Sequence, residues 1–354
     1  MVEYVFLIAL PCLFFAVKKS VGDLYKLTRN TLLIFFVLFA LLLCLRDSSV
    51  GIDLSVYLID LKYTARQPWS HVLELDTEWG WFIFQKIFLS ITKSERAFIV
   101  ICALISVVPI CIVYCKECEH PLIAVSLFLT VAPFTMFFSG IRQSIAMGLG
   151  VLAFFCLKHK KFILFILISA LAFTFHQSAF ILIFMLPFYF IKIKWKYAIF
   201  VLLAFAVVFA FRQRIFDAIL SILPEKYQKS GENTTETGAF GMIVLLGMFA
   251  VYSFILPKEK YMNREDYGLR TLLVFALFMQ AFASVHALAM RFNYYYLLLV
   301  PIFMSRIVNR VRKSDQGIAV LSVIVIVMFM ITYFFVTLVY GENILKIYPY
   351  IWGV

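Results

Sequence analysis

Three apolar stretches, residues 121–157, 162–191 and 271–305, are each too long for one bilayer crossing and suited to two short ones. A hydrocarbon core of roughly 30 Å takes about 20 residues of helix. Each stretch carries one ionisable residue near its middle, Arg142, His176 and Arg291, and has lysine or arginine close to its ends. Folded as hairpins, all three put their basic flanks on one side of the membrane. Their central polar residue then lies at or just beneath the other side. The expectation is an all-α, polytopic membrane protein whose chemistry, if any, sits at one face.

Composition agrees with that class. The chain is 64% hydrophobic and 15% charged, whereas a soluble domain holds about half apolar and about a quarter charged residues. Apolar segments consume nearly the whole length, so a single integral domain over 1–354 is expected. Glu3 near the start, and Lys18 and Lys19 after the first apolar run, argue against a cleaved signal peptide and for a first helix entering from outside.

Lysine and arginine in short loops stay on the cytoplasmic side. Loops 18–30, 115–120, 158–161, 192–196, 257–270 and 306–316 carry the larger share of them, and therefore the +12 net charge. That scatter leaves no basic domain that could bind nucleic acid. About twelve spans are expected, at 2–17, 31–45, 97–114, 121–138, 141–157, 162–175, 177–191, 197–211, 238–256, 269–288, 292–308 and 317–340, with both ends outside. The apolar segment 79–93 reads as an interfacial or re-entrant helix, with Thr77 as its N-cap and Trp79 and Trp81 at headgroup level. Two outer segments are long. Residues 46–96 read as partly helical and site-building. Residues 212–237, ending in a polar run from Gly231 to Gly238, read as a mobile lid or a solvated connection.

The seven cysteines fall in apolar segments or the 115–118 loop. That placement disfavours a disulfide framework, and Cys115-Lys-Glu-Cys118 lacks the second ligand pair of a zinc site. No cofactor is expected, and a divalent metal is optional rather than required, with Asp47 and Asp53 as the carboxylates that could hold one.

Arg142 opens a helix after Ser139-Gly140, with Ala146 and Gly150 one and two turns on. Small residues at that spacing permit close helix approach. Such an arginine needs an anion, either a carboxylate of an outer loop or a phosphate ligand. Arg291 heads Arg-Phe-Asn-Tyr-Tyr-Tyr, and Tyr294 and Tyr295 follow one turn later. The set can grip diphosphate and sugar, or belong to an interfacial aromatic belt. His286 reads as a packing histidine. His176 lies only 14 apolar residues from Lys161, so its hairpin tip is sunk below the surface, where an imidazole acts as a base or caps carbonyls. Asp53 and Tyr57 share a helix face at i, i+4. Asp53 also suits an N-cap, and Glu78 suits the first turn of the 79–93 helix. Nucleotide loops and the H-E-x-x-H and G-x-S-x-G signatures are lacking.

Arg46-Asp47-x3-Gly51-x-Asp53-x3-Tyr57, Glu78-x-Gly80, Ser139-Gly140-x-Arg142-Gln143-Ser144-x-Ala146, Phe175-His176-x-Ser178-Ala179, Arg291 with its tyrosines and Tyr348-Pro349-Tyr350 together resemble the EpsG-like, Wzy-type polysaccharide polymerases. The resemblance runs from 46 to 350. It implies a fold similar to the multi-span lipid-dependent (GT-C-like) glycosyltransferases, in the bacterial cytoplasmic membrane with the site facing outside. The implied reaction moves a growing glycan from undecaprenyl diphosphate to a hydroxyl of the next lipid-linked repeat unit. On that reading Arg142, Arg291 and Arg46 bind diphosphate, and Tyr57, Gln143, Tyr294 and Tyr295 bind sugar. His176, Asp53 or Glu78 serves as base. A chain-length regulator and a flippase are the further candidate partners. Two rival readings remain open, a lipid-linked glycan flippase and a membrane O-acyltransferase.

Overall fold

The computed structural model describes residues 1–18, 23–221, 236–341 and 345–353, with the side chains of 236–238 left aside. Among them there are helices and no strand. The chain divides into two compact units, the first formed by 1–183 with 326–354 and the second by 184–325.

The first unit begins with α1 (Val2–Lys18) and α2 (Leu24–Leu45), the latter capped by Asp23, whose Oδ1 accepts from the Tyr25 N–H at 2.9 Å. The helices α3 (Leu54–Arg66) and α4 (Trp79–Ile91) follow. Next come α5 (Glu95–Glu117), started by the Ser94 cap, and α6 (Pro121–Thr130), then the single turn α7 (Met136–Ser139), α8 (Ile141–Lys158) and α9 (Phe162–Phe175). Helix α5 packs on α2 and α8, and α8 packs on α9. Gly148 permits the α5–α8 approach, since a Cβ there would lie 2.5 Å from the Ser106 carbonyl oxygen. Phe35, Phe36, Phe39, Phe128, Phe134 and Phe138 interlock around α2 and α6, mostly edge-to-face and all buried.

The apolar segments expected to be helical are so, with three exceptions, one of them 292–308, which begins inside the helix Ala287–Leu297 and breaks at 298–299 before Val300–Arg312. The 121–138 segment stops at Thr130, turns through 131–135 and resumes as α7. Pro133, with no N–H to give, sits in that turn. The 177–191 segment is a 3-10 helix (Gln177–Phe184) followed by the six-residue α10 (Met185–Phe190), where Pro187 likewise withholds a donor. Among the described residues four helices are long and apolar enough to cross a membrane, α2, α5, α8 and Gln316–Tyr340. The count reaches six if each of two bent pairs is one span; the pairs bend by 116° and 45°. Four shorter apolar helices, Val2–Val17, Pro121–Thr130, Phe162–Phe175 and Ala239–Ile255, fall on four more of the expected spans, whereas 177–191 and 197–211 form one of the bent pairs and Arg264–Ala283, on the expected 269–288 span, is in neither group.

In the second unit follow α11 (Ala198–Ala210), α12 (Arg212–Leu220), α13 (Glu236–Ile255), α14 (Arg264–Ala283), α15 (Ala287–Leu297) and α16 (Val300–Arg312). The expected lid at 212–237 begins as α12; most of it, including the start of its polar run, lies outside the described residues. Asn263 and Asp266 form a reciprocal capping box at the start of α14. Asp266, fully buried, also accepts from Arg306 Nε at 3.1 Å and Arg310 Nε at 2.8 Å. Arg270, equally buried, donates to the carbonyls of Ile193 and Ser253. Several basic residues assigned above to charged loops are thus interior, each matched by an acid or a carbonyl.

The last segment closes over the end of α2 in the first unit. Arg46 and Trp352 form an isolated antiparallel bridge. Asp47 N–H donates to the Ile351 carbonyl at 2.9 Å, Gly353 N–H to Leu45 at 2.8 Å, and Gly51 and Ile52 N–H to Lys346 and Leu345. Tyr350 and Tyr4 hydroxyls donate to the carbonyls of Leu42 and Ile347 at 2.7 and 2.6 Å.

Candidate functional site

Helix α8 begins where the Ser139-Gly140 joint turns the chain. The buried Ser139 Oγ accepts from the Ile52 N–H at 3.1 Å and donates to the Leu345 carbonyl at 3.2 Å, so the joint is tied to both neighbouring loops. Ser144 Oγ donates back to Met136 at 3.2 Å. These bonds put Arg142 in the first turn of α8. A cation at a helix N-terminus opposes the helix dipole, and an anion is favoured there.

Glu78 supplies one. Its Oε2 accepts from Arg142 Nη1 at 2.5 Å, and its Oε1 accepts from the Gln177 backbone N–H at 3.3 Å. The His176 Nε2 is 3.9 Å from the same Oε1. Glu78 does this from a left-handed backbone, φ +59° and ψ 26°, that costs a non-glycine residue about 1–2 kcal/mol. The N-cap of α4 is therefore Glu78 and not Thr77, and its side chain turns to Arg142 rather than to the helix. Gly80 explains why α4 can come so close: a Cβ there would sit 2.1 Å from Thr174 Oγ1 on α9.

His176 is the C-cap of α9. Its Nδ1 lies 2.6 Å from Ser178 Oγ and accepts from the Ser178 N–H at 3.3 Å. Gln143, buried on α8, points Nε2 at the same Ser178 Oγ at 3.5 Å. Arg142 itself stays 38% exposed, and its Nε, though buried, has no hydrogen-bond partner among the described residues. The Tyr57 ring lies 5.6 Å from its guanidinium carbon and 5.6 Å, edge-on, from the Trp81 ring. Burial pushes the Tyr57 phenol up against the pull of Arg142, so it stays a protonated donor. Asp53 heads α3 one turn before Tyr57, at the N-cap position but with no side-chain cap bond.

Sequence reasoning missed three residues here. Asp60 on α3 accepts through Oδ2 from Trp81 Nε1 at 2.8 Å and from Gln85 Nε2 at 3.0 Å. Thr64 Oγ1 donates to Gln85 Oε1 at 2.8 Å. The signal was present as helical spacing: Tyr57, Asp60 and Thr64 on one helix face meet Glu78, Trp81 and Gln85 on another.

Of the other expected site residues, Arg46 belongs to the first unit and Arg291, Tyr294 and Tyr295 to the second. Arg46 is 3% exposed and donates to the carbonyls of Phe137 and Phe138 at 3.4 and 2.5 Å, with burial lowering its guanidinium to about 10. It faces backbone rather than a cleft. Arg291 belongs to the second unit, exposed on α15, with Tyr294 half-buried and Tyr295 fully buried. His286 caps α15, its Nδ1 accepting from the Leu288 N–H at 3.1 Å. Cys111 and Cys115 place their sulfurs 3.9 Å apart.

A family model described as the EpsG family matches residues 29–352. No curated protein and no solved structure shows a significant match. The matched range takes in every residue of the Glu78–Arg142–His176 cluster.

Proposed function

This chain belongs to the EpsG family, whose members are Wzy-like, polysaccharide polymerase-type proteins, and from that premise we propose a membrane glycosyltransferase. It moves a growing glycan from undecaprenyl diphosphate to a hydroxyl of an incoming lipid-linked repeat unit, on the outer face of the bacterial cytoplasmic membrane. The carrying observation is Arg142: a first-turn arginine, oriented by Glu78, with a buried Nε that no described group satisfies.

Departure of diphosphate from the anomeric carbon develops negative charge on the bridging oxygen. A guanidinium with free donors beside the N-terminal N–H groups of α8 is worth most at that moment. Glu78 leaves Arg142 Nε and its outer edge for that charge while holding Nη1. With arginine supplying the positive charge, the reaction requires no divalent metal. Tyr57, half-buried beside the arginine, offers a ring for sugar stacking, and the buried Trp81 backs it edge-on.

The test is polymerisation by purified protein in vesicles given a lipid-linked repeat unit and no nucleotide sugar. A ladder of longer glycans is expected, and Arg142→Ala is expected to lose it by about 10²–10³-fold. A wild type that only moves the lipid-linked unit across the vesicle bilayer would replace the polymerase by a flippase.

A further inference from the structure

Transfer to a sugar hydroxyl needs a proton acceptor, and the carboxylates near Arg142 differ in what they have left to give. Glu78 has both oxygens engaged, Oε2 by Arg142 and Oε1 by the Gln177 N–H. His176 Nδ1 is engaged by Ser178. Asp53 stands at the helix head, without a donor to fix it.

Asp60 differs from all of these. Its Oδ2 is held by two donors, the Trp81 indole and the Gln85 amide, and Gln85 is itself fixed by Thr64. Its Oδ1 accepts no hydrogen bond among the described residues, and the side chain is half-exposed. The carboxylate is thus clamped by one oxygen and open at the other. It lies one turn beyond Tyr57 on the same face of α3, and its charge reaches Arg142. The Trp81 ring that binds Asp60 also abuts Tyr57, so base, aromatic platform and arginine are joined by direct contacts.

We propose that Asp60 is the general base for the acceptor, a role that rests on the polymerase reading above. The acceptor hydroxyl oxygen bonds to the anomeric carbon, and its proton passes to Asp60 Oδ1. The carbon–oxygen bond to diphosphate breaks, and its electron pair leaves on the diphosphate beside Arg142. Trp81 and Gln85 are positioning residues that aim Oδ1 by fixing Oδ2.

Asp60→Asn separates this role from a structural one. The amide oxygen can still accept from Trp81 and Gln85, while the amide nitrogen at the open edge cannot take a proton. The expected result is a kcat at least about a hundredfold lower, with undecaprenyl diphosphate binding within twofold of wild type and an unchanged unfolding midpoint in detergent. Asp60→Glu, which restores a carboxylate, is expected to keep a tenth or more of the activity. Gln85→Met leaves Asp60 intact but frees it from one donor, and should lower kcat roughly tenfold with KM unchanged; this variant decides if Asp60→Asn does not fold. Asp60→Asn or Gln85→Met turning over within threefold of wild type would overturn the assignment while leaving the polymerase reading standing. A wild type that makes no ladder overturns both.

Discussion

Glu78 grips Arg142 at 2.5 Å from a left-handed backbone that its own side chain disfavours. The pair spans two helices, and the strain on one is stabilised by the charge on the other. Glu78→Gly and Glu78→Ala remove the same carboxylate, but only glycine suits φ +59°. Glu78→Gly is therefore expected to unfold at a higher temperature than Glu78→Ala, by the equivalent of about 1 kcal/mol, measured in the same detergent. Both should lose polymerisation, because Arg142 loses its orientation.

Close helix approach at the site depends on Gly80. Its Cβ would meet Thr174, whose hydroxyl is itself fixed to the Leu171 carbonyl at 2.8 Å. Gly80→Ala should cost about 1–3 kcal/mol of stability and reduce activity more than its stability loss explains, since Glu78 moves with α4. Rates at matched folded fraction, set by temperature, check this.

Arg46 is tied into the fold through Nη1, which donates to two backbone carbonyls, while its buried Nε has no hydrogen-bond partner among the described residues. Arg46→Lys replaces a planar guanidinium whose Nη1 reaches two carbonyls with a shorter-reaching ammonium, and should lower stability by about 1.5–3 kcal/mol. The folded fraction should bind undecaprenyl diphosphate as wild type does, measured by titration at a temperature well below unfolding.

In the second unit, Asp266 neutralises Arg306 and Arg310 without exposure to water. Asp266→Ala should destabilise by about 3–5 kcal/mol, because two buried cations lose their partner. Glu265→Gln, at the exposed end of the same network, should cost under about 1 kcal/mol. Thermal unfolding of the two variants side by side tests the contrast.

Helix positions were legible because apolar length is a local property. The runs at 141–157 and 162–175 need no partner to declare themselves, and α8 and α9 fall on them. The interruptions after Thr130 and within 177–191 were less visible, although Pro133 and Pro187 marked them. The site was legible by residue type and not by pairing. An ion pair with an outer carboxylate was one of two readings of Arg142, yet nothing in the sequence selects Glu78 from the acids of 46–96. Asp60 escaped because its partners, Trp81 and Gln85, lie on a different helix, and only the fold brings the two polar faces together. The burial of Arg46 was hidden for the converse reason: its place in a charged segment gave no sign that residues near 352 pack over it.

Those final residues carry a consequence for biogenesis. The first unit joins Arg46 to Trp352, positions about 300 residues apart. At roughly 5–20 residues per second, the ribosome delivers the second half of that closure some 15–60 s after the first. Throughout that interval the backbone donors of Asp47 and Gly51 stand without their eventual acceptors, so the earliest helices wait in the membrane, unlatched, until residues 345–353 arrive.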